Sequence, residues 1–229
     1  MKGDATLPDT SVLLVGEGSH ELGPYRDEFA PSDHLPPLAQ LVRRLLRDPA
    51  KPRFFCRLGK DVPNVHRGKM ASRDGKKVYS AIRYARRRGW GAAVVVVDRD
   101  GPRNAGRLAG LHEGAREASA SFPCAVGLAI ETFDAWMIVD RNAIKKAGGD
   151  QTKAHDNPES LTGKKGTGKH PKDVADAIFG TTRGSGLGPK YATVAEHLDL
   201  ALLETACPKG FRPFADEVRE RIEPVLTSE

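Results

Sequence analysis

Cysteine is scarce in this chain, aromatic residues are few, and long apolar runs are missing. Only Cys56, Cys124 and Cys207 occur in 229 residues. An odd, widely spaced set argues against a disulfide framework and for a reducing, cytoplasmic setting. No Cys-x-x-Cys and no Cys/His pairing at zinc spacing is present, so a structural zinc site is not expected. No apolar run approaches the ~18 residues of a membrane span, and no signal peptide is read at the start, so no membrane partner is expected. Acidic residues are depleted in one place. Between Leu41 and Trp90 stand 16 Lys and Arg against three acids, Asp48, Asp61 and Asp74. The formal charge of the whole chain is only +6, so the remainder is net negative. A local positive field of this size suits a phosphate-rich partner, DNA or RNA. The plainer alternative is a solvated surface.

What the chain does contain is apolar runs that end in acids. Ser11 to Val15 reads as a buried strand, followed by Glu17-Gly18. Ala92 to Val97 reads as another, followed by Asp98-Arg99-Asp100. Arg53 to Leu58 and Ala125 to Ile130 are further strand candidates. Helical spacing covers Leu38 to Arg47, with Leu38, Leu41, Val42, Leu45 and Leu46 on one side, and Lys76 to Arg88, with Val78, Ile82 and Ala85 inward. Gly106 to Ser119 is a third helix. Glu21 to Pro37, with four prolines, and Gly59 to Gly75 read as loops. Strands alternating with helices predict an α/β fold, a parallel sheet covered on both faces. The character changes near Lys146. The expected division is a sheet domain over 1–147 and a loop-rich, helical extension over 148–229 packed on it. Helices are expected there at Lys172 to Phe179, Tyr191 to Ala206 and Pro213 to Leu226.

Ligand sites of open α/β sheets lie beyond the carboxyl ends of the strands. Glu17, Asp98 and Asp100 are therefore expected to meet. Residues i and i+2 of an extended segment point the same way, so Asp98 and Asp100 could serve one site. A strand cap is the bland alternative for that pair. Glu21 joins them if the turn after Glu17 is helical. Glu131 and Asp134 follow the last strand at i and i+3, where both could face the cleft or simply favour a helix dipole. Convergent carboxylates bind a hard divalent cation, Mg2+ or Mn2+, one ion or two, and support phosphodiester chemistry. Asp98 and Asp100 are the expected ligands, with Glu17 as ligand or general acid/base and Glu21, Glu131 and Asp134 completing the set. Arg53, Arg57, Lys76, Lys77, Arg83, Arg86 and Arg87 are the expected phosphate contacts. Gly163-Lys-Lys-Gly-Thr-Gly168-Lys169-His170 nearly fits a P-loop. His170 replaces the metal-binding hydroxyl and no strand precedes it, so ATP binding is not expected. Tyr25, Tyr79, Tyr84 and Tyr191 lie in no context that marks a strand-passage nucleophile.

The Glu-Gly turn after a first strand and the Asp-x-Asp after a later one resemble the Toprim domain of topoisomerases, primases, small ribonucleases and overcoming-lysogenization-defect (OLD) nucleases. The chain is more closely similar to a Toprim-like bacterial family with an E-x-x-E-A-W signature, here Glu131-Thr-Phe-Asp134-Ala135-Trp136. That family also carries a Tyr-Lys-like element, here Lys190-Tyr191, and a final Cys-Pro-x-x-Phe, here Cys207 to Phe211. The resemblance implies a Mg2+-dependent nuclease or a related phosphodiester-processing enzyme acting on nucleic acid. It also implies an AAA- or ABC-type ATPase partner, since such genes tend to be neighbours, and a place in anti-phage defence. A non-catalytic subunit that docks an ATPase or nucleic acid is the alternative. Asp134 stands where the family often has Glu, a shorter reach by one methylene.

Overall fold

The structure, a computed structural model, describes residues 10–23, 34–48, 52–65, 72–101, 106–182 and 184–227. Four strands, β1 (Ser11–Gly16), β2 (Arg53–Leu58), β3 (Ala92–Asp98) and β4 (Cys124–Ala129), form a parallel sheet in the order β2-β1-β3-β4. Val12 pairs with Phe54 on one side of β1 and with Ala92 on the other, and Asp98 pairs with Ala129. Every residue of β1, β3 and β4 is buried. Burial on both faces is why these strands read as unbroken apolar runs rather than as alternations. β2 is an edge strand with Arg53 exposed at its start, a charged edge that discourages further strand pairing.

Alternate side chains feed two cores. Leu13, Val15, Val95 and Val97 point to α3 (Arg73–Arg87) and α4 (Arg107–Ala118), meeting Val78, Ile82 and Leu111. Val12, Leu14, Val94 and Val96 point to the other side. There α2 (Pro37–Leu45) packs beside α8 (Leu187–His197), and α10 (Phe211–Glu217) packs on β4. Trp136 is fully buried on that side, stacked on Phe214 at 5.4 Å between centroids. The two helices α3 and α4 approach very closely. A Cβ on Gly114 would lie 2.1 Å from the carbonyl oxygen of Gly75.

Helix ends depart from the expectations in readable ways. α3 starts at Arg73, not Lys76, because the Ser72 hydroxyl accepts from the Gly75 amide at 2.8 Å and caps the helix. Gly75 is a helix-contact glycine rather than a loop residue. The expected helix from Tyr191 to Ala206 is two: α8 begins at Leu187, and α9 (Leu200–Ala206) restarts after Asp199, whose carboxylate caps Ala201 and Leu202. The last helical stretch begins at Phe211 and passes through a π-turn, Val218–Ile222, into α11 (Glu223–Thr227). The turns α1 (Ser19–Leu22), α5 (Asp134–Met137) and α6 (Arg141–Lys146), and α7 (Pro171–Phe179), complete the helices used below. The proline-rich segment 24–33, including Tyr25, and residues 66–71 of the basic loop lie outside the described residues. Among the described residues no helix is long and apolar enough to cross a membrane.

Candidate functional site: an acidic pocket at the carboxyl edge

In this strand order β1 is the point where the chain reverses its progress across the sheet, going first to β2 and then back over to β3. The crevice there, beyond the strand ends, is the usual ligand position in such sheets. Glu17 leaves the end of β1, Asp98 ends β3, and Asp134 follows β4. A cavity of about 240 Å3 opens between them, lined by Glu17, Glu21, Asp98, Asp100 and Asp134, with Lys172 and Tyr191. Five of the six expected carboxylates thus share one pocket. Glu131 does not line it. Its backbone is left-handed, φ 61°, and its carboxylate pairs with Arg99 instead.

Each carboxylate is held by a different partner. Glu17 accepts from Lys77 Nζ at 2.6 Å and from Arg107 Nη2 at 3.2 Å, and lies 3.4 Å from the Asp98 amide. Burial alone would raise its proton affinity, but the Lys77 and Arg107 charges outweigh it and hold the carboxyl below the usual range. Glu21 sits on the turn α1, as its role requires, and accepts from the Glu17 amide at 3.0 Å. It needs a glycine at position 16, where a Cβ would stand 2.3 Å from its Oε2. Burial, then the charges of Asp98, Asp134 and Glu17, push the Glu21 carboxyl well above its ordinary value. Asp98 accepts from the Phe133 amide at 2.7 Å. Burial, then the neighbouring Asp134 and Glu17, raise it to about 7 against the pull of Lys172 and that amide. Asp134 accepts from the Tyr191 hydroxyl at 2.6 Å. Asp100 adopts φ 54°, which breaks the extended geometry expected of Asp98-Arg99-Asp100. Its side chain is 58% exposed and faces Arg107 at 3.3 Å.

Two groups in this constellation were not anticipated from sequence. Lys172, near the start of α7, places Nζ 3.8 Å from Asp98 Oδ2. Burial alone would lower it, but Asp134, Asp98, Asp100 and Glu21 together hold its ammonium above the usual range. Arg107, at the start of α4, clamps Asp74 at 2.8 and 2.9 Å, and also touches Glu17 and Asp100. It ties the α3–α4 pair to the pocket. Neither had a local signal: Lys172 is far along the chain from Asp98, and Arg107 from Asp74 and Glu17.

A hard divalent cation takes oxygen ligands, and the pocket offers five carboxylates. The donor chemistry fits Mg2+ or Mn2+, and two raised carboxyls mark surplus negative charge. Among the described residues, however, no three His, Cys, Asp or Glu side chains stand ready-arranged around a metal position. Glu17, Asp98 and Asp134 are each turned to a protein donor. A cation therefore requires these side chains to rotate and Lys172 to yield.

The seven expected phosphate contacts divide. Lys76 and Lys77 lie in the first turns of α3, beside the acidic pocket. Arg86 and Arg87 lie in its last turn, about 15 Å away at ~1.5 Å per residue. Arg53 begins β2 and is on that amino side as well, with its guanidinium 5.9 Å from the Phe55 ring centre. Arg57 is buried and donates to the Cys56 carbonyl. Arg83 is half-buried on α3. The P-loop-like glycines are already occupied: the amides of Gly166 and Gly168 donate to Asp173, which leaves them turned from any phosphate. The residues that carried the family resemblance are largely packing and positioning groups. Trp136 and Phe211 are core, Tyr191 orients Asp134, and Lys209 and Gly210 donate to Glu159. Tyr191 is fully buried with its hydroxyl pushed well above its ordinary value by burial and Asp134, which disfavours a nucleophile role. Compared with protein-family models, with curated proteins and with solved structures, the chain matches none.

Proposed function

We propose that this chain is a Toprim-like, Mg2+- or Mn2+-dependent enzyme that cleaves phosphodiesters in DNA or RNA. The carrying observation is that five carboxylates from separate strand ends share one pocket beside a cluster of lysines and arginines. Asp98 and Asp100 are the proposed first ligands, with Glu17, Glu21 and Asp134 able to complete one site or a second. The bound ion supplies Lewis-acid polarisation of a phosphoryl oxygen. The low proton affinity of Glu17 favours the ligand role over proton transfer. Burial raises the Glu21 and Asp98 carboxyls, and either would serve as a ligand only in its deprotonated form. The Lys172 ammonium, 3.8 Å from Asp98, would stand beside a bound phosphate and offset charge that develops there. Lys76 and Lys77 hold the backbone without reading sequence. An AAA- or ABC-type ATPase partner and a role in anti-phage defence belong to this proposal through the family resemblance alone.

One observation favours the second reading, a binding subunit without catalysis. Lys172 already supplies a counter-charge, and the carboxylates are turned to protein donors. A cleavage assay on DNA and RNA with Mg2+ and Mn2+ separates the two. The enzyme reading expects metal-dependent cleavage by wild type. It expects a loss of about a thousandfold or more in Asp98→Asn, the scale of several kcal/mol of transition-state stabilisation. No cleavage with either metal on either substrate supports the binding subunit.

A further inference from the structure

A second cavity, of about 330 Å3, shares Glu17 as a wall with the acidic pocket but has the opposite charge. Gly59 and Lys60, just past the end of β2, form one side. Arg73, Lys76, Lys77 and Ser80 form the other. These four recur at i, i+3, i+4 and i+7, so one face of α3 presents them together. Among the described residues, Lys60, Arg73 and Lys76 form no ion pair with any acid. Lys77 is neutralised by Glu17, which is itself neutralised by Lys77 and Arg107. The cavity therefore carries three uncompensated positive charges. The amino end of the 15-residue α3 adds its partial positive charge on the same side.

Three unpaired cations exceed what one internal phosphodiester, with a single charge, calls for. A phosphate monoester carries about −1.5 to −2 at neutral pH and three acceptor oxygens. The cavity lies at the small end of the ~300–1,000 Å3 range of ligand pockets, room for one small unit rather than a strand. We propose that this basic cavity binds the terminal phosphate monoester of a nucleic-acid strand, so that the chain engages strand ends. The proposal rests on the nucleic-acid reading above and deepens it. With Glu17 between the cavities, an end held by Lys60, Arg73 and Lys76 presents the following phosphodiester to the Asp98 side.

The test is binding without metal. Three fluorescent single strands of one sequence, with a 5′-phosphate, a 3′-phosphate or neither, are titrated in EDTA with wild type and with the double variant Arg73→Gln/Lys76→Gln. Wild type is expected to prefer one phosphorylated strand by about tenfold, the effect of one hydrogen bond to a charged group. The strand preferred says which end is read. The double variant, with Arg73 exposed and Lys76 half-buried but making no ion pair among the described residues, is expected to melt close to wild type and to lose the preference. Equal affinity of wild type for all three strands overturns the proposal. So does a double variant that binds all three more weakly but keeps the preference. The enzyme reading fails separately: an end preference with no cleavage in Mg2+ or Mn2+ removes catalysis and leaves this cavity's role, whereas cleavage with no end preference does the reverse.

Discussion

The two cavities that meet at Glu17 are built from opposite surpluses. On one side, Glu21, Asp98 and Asp134 are buried within a few per cent of full exclusion, crowded together and short of positive charge. On the other, exposed Lys60 and Arg73 and half-buried Lys76 stand without an ion-paired acid among the described residues. Placing such groups so that they neutralised one another would have been the more stable arrangement. Burial, and then the neighbouring acids, instead leave a carboxyl at about 7 in the folded state, and ionising it costs folding energy. The strain is concentrated on the acidic side. The basic side, solvated and screened, stores little. Unbalanced buried charge of this kind gathers at functional sites more often than elsewhere.

The largest expected effect on that comparison comes from pH. Asp98 is raised from 3.8 to about 7 and Glu21 is raised in the same direction. A carboxyl raised in the folded state favours folding while it keeps its proton, below its unfolded value. That contribution is lost as pH climbs through the folded value. Metal-free protein should therefore lose stability between about pH 4 and pH 7, by up to roughly 4 kcal/mol at ~1.4 kcal/mol per unit. Asp98→Asn should flatten most of that slope. Urea melts across this range check it, and a wild type that gains stability from pH 4 to 7 breaks the account of the acidic side.

Lys172→Met sharpens the comparison by removing the lysine that reaches into the acidic pocket. It should cost about 1 kcal/mol at pH 7.5, between the worth of exposed and of buried ion pairs. At pH 4 the cost should shrink, because Asp98, raised to about 7, then holds its proton. Melts of the variant at the two pH values decide it. A cost that does not change with pH would mean that Lys172 acts only through its aliphatic stem.

The smallest effect is expected on the far end of α3. Arg86→Glu/Arg87→Glu should weaken nucleic-acid binding similarly for all sequences and ends, and lower the slope of log affinity against log salt by about one to two. Fluorescence titrations at several salt concentrations measure both. An unchanged slope means that the amino-side arginines serve solubility alone.

The sheet was legible because β1 and β3 are buried on both faces, and only apolar runs such as Leu13-Leu14-Val15 and Val94 to Val97 satisfy that. The acids were legible for a related reason: a carboxylate directly after such a run has to emerge at the strand's carboxyl edge. What sequence could not supply was long-range pairing. Nothing local to Lys172 or Arg107 points to Asp98 or Asp74. The left-handed backbone at Glu131 turns that acid onto Arg99, against a reading from spacing alone. The basic run from Leu41 to Trp90 looked like a single feature. A count of charges does not know that a helix runs antiparallel to its strands, which sends Lys76 and Arg87 to opposite edges. Gly75 likewise looked like loop, and only its contact with Gly114 explains it.

The proposed enzyme requires that the acidic pocket take up a divalent cation. Thermal melts of wild type and Asp98→Asn at pH 7.5, with EDTA or with millimolar Mn2+, test it most directly. The account predicts that Mn2+ raises the wild-type melting temperature, by the equivalent of about 2.7 kcal/mol at a hundred times Kd. It also predicts that metal-free Asp98→Asn melts at or above metal-free wild type, and that Mn2+ leaves the variant unmoved. A wild type indifferent to Mn2+, together with an Asp98→Asn destabilised by a weaker, uncharged acceptor for the Phe133 amide, would contradict it.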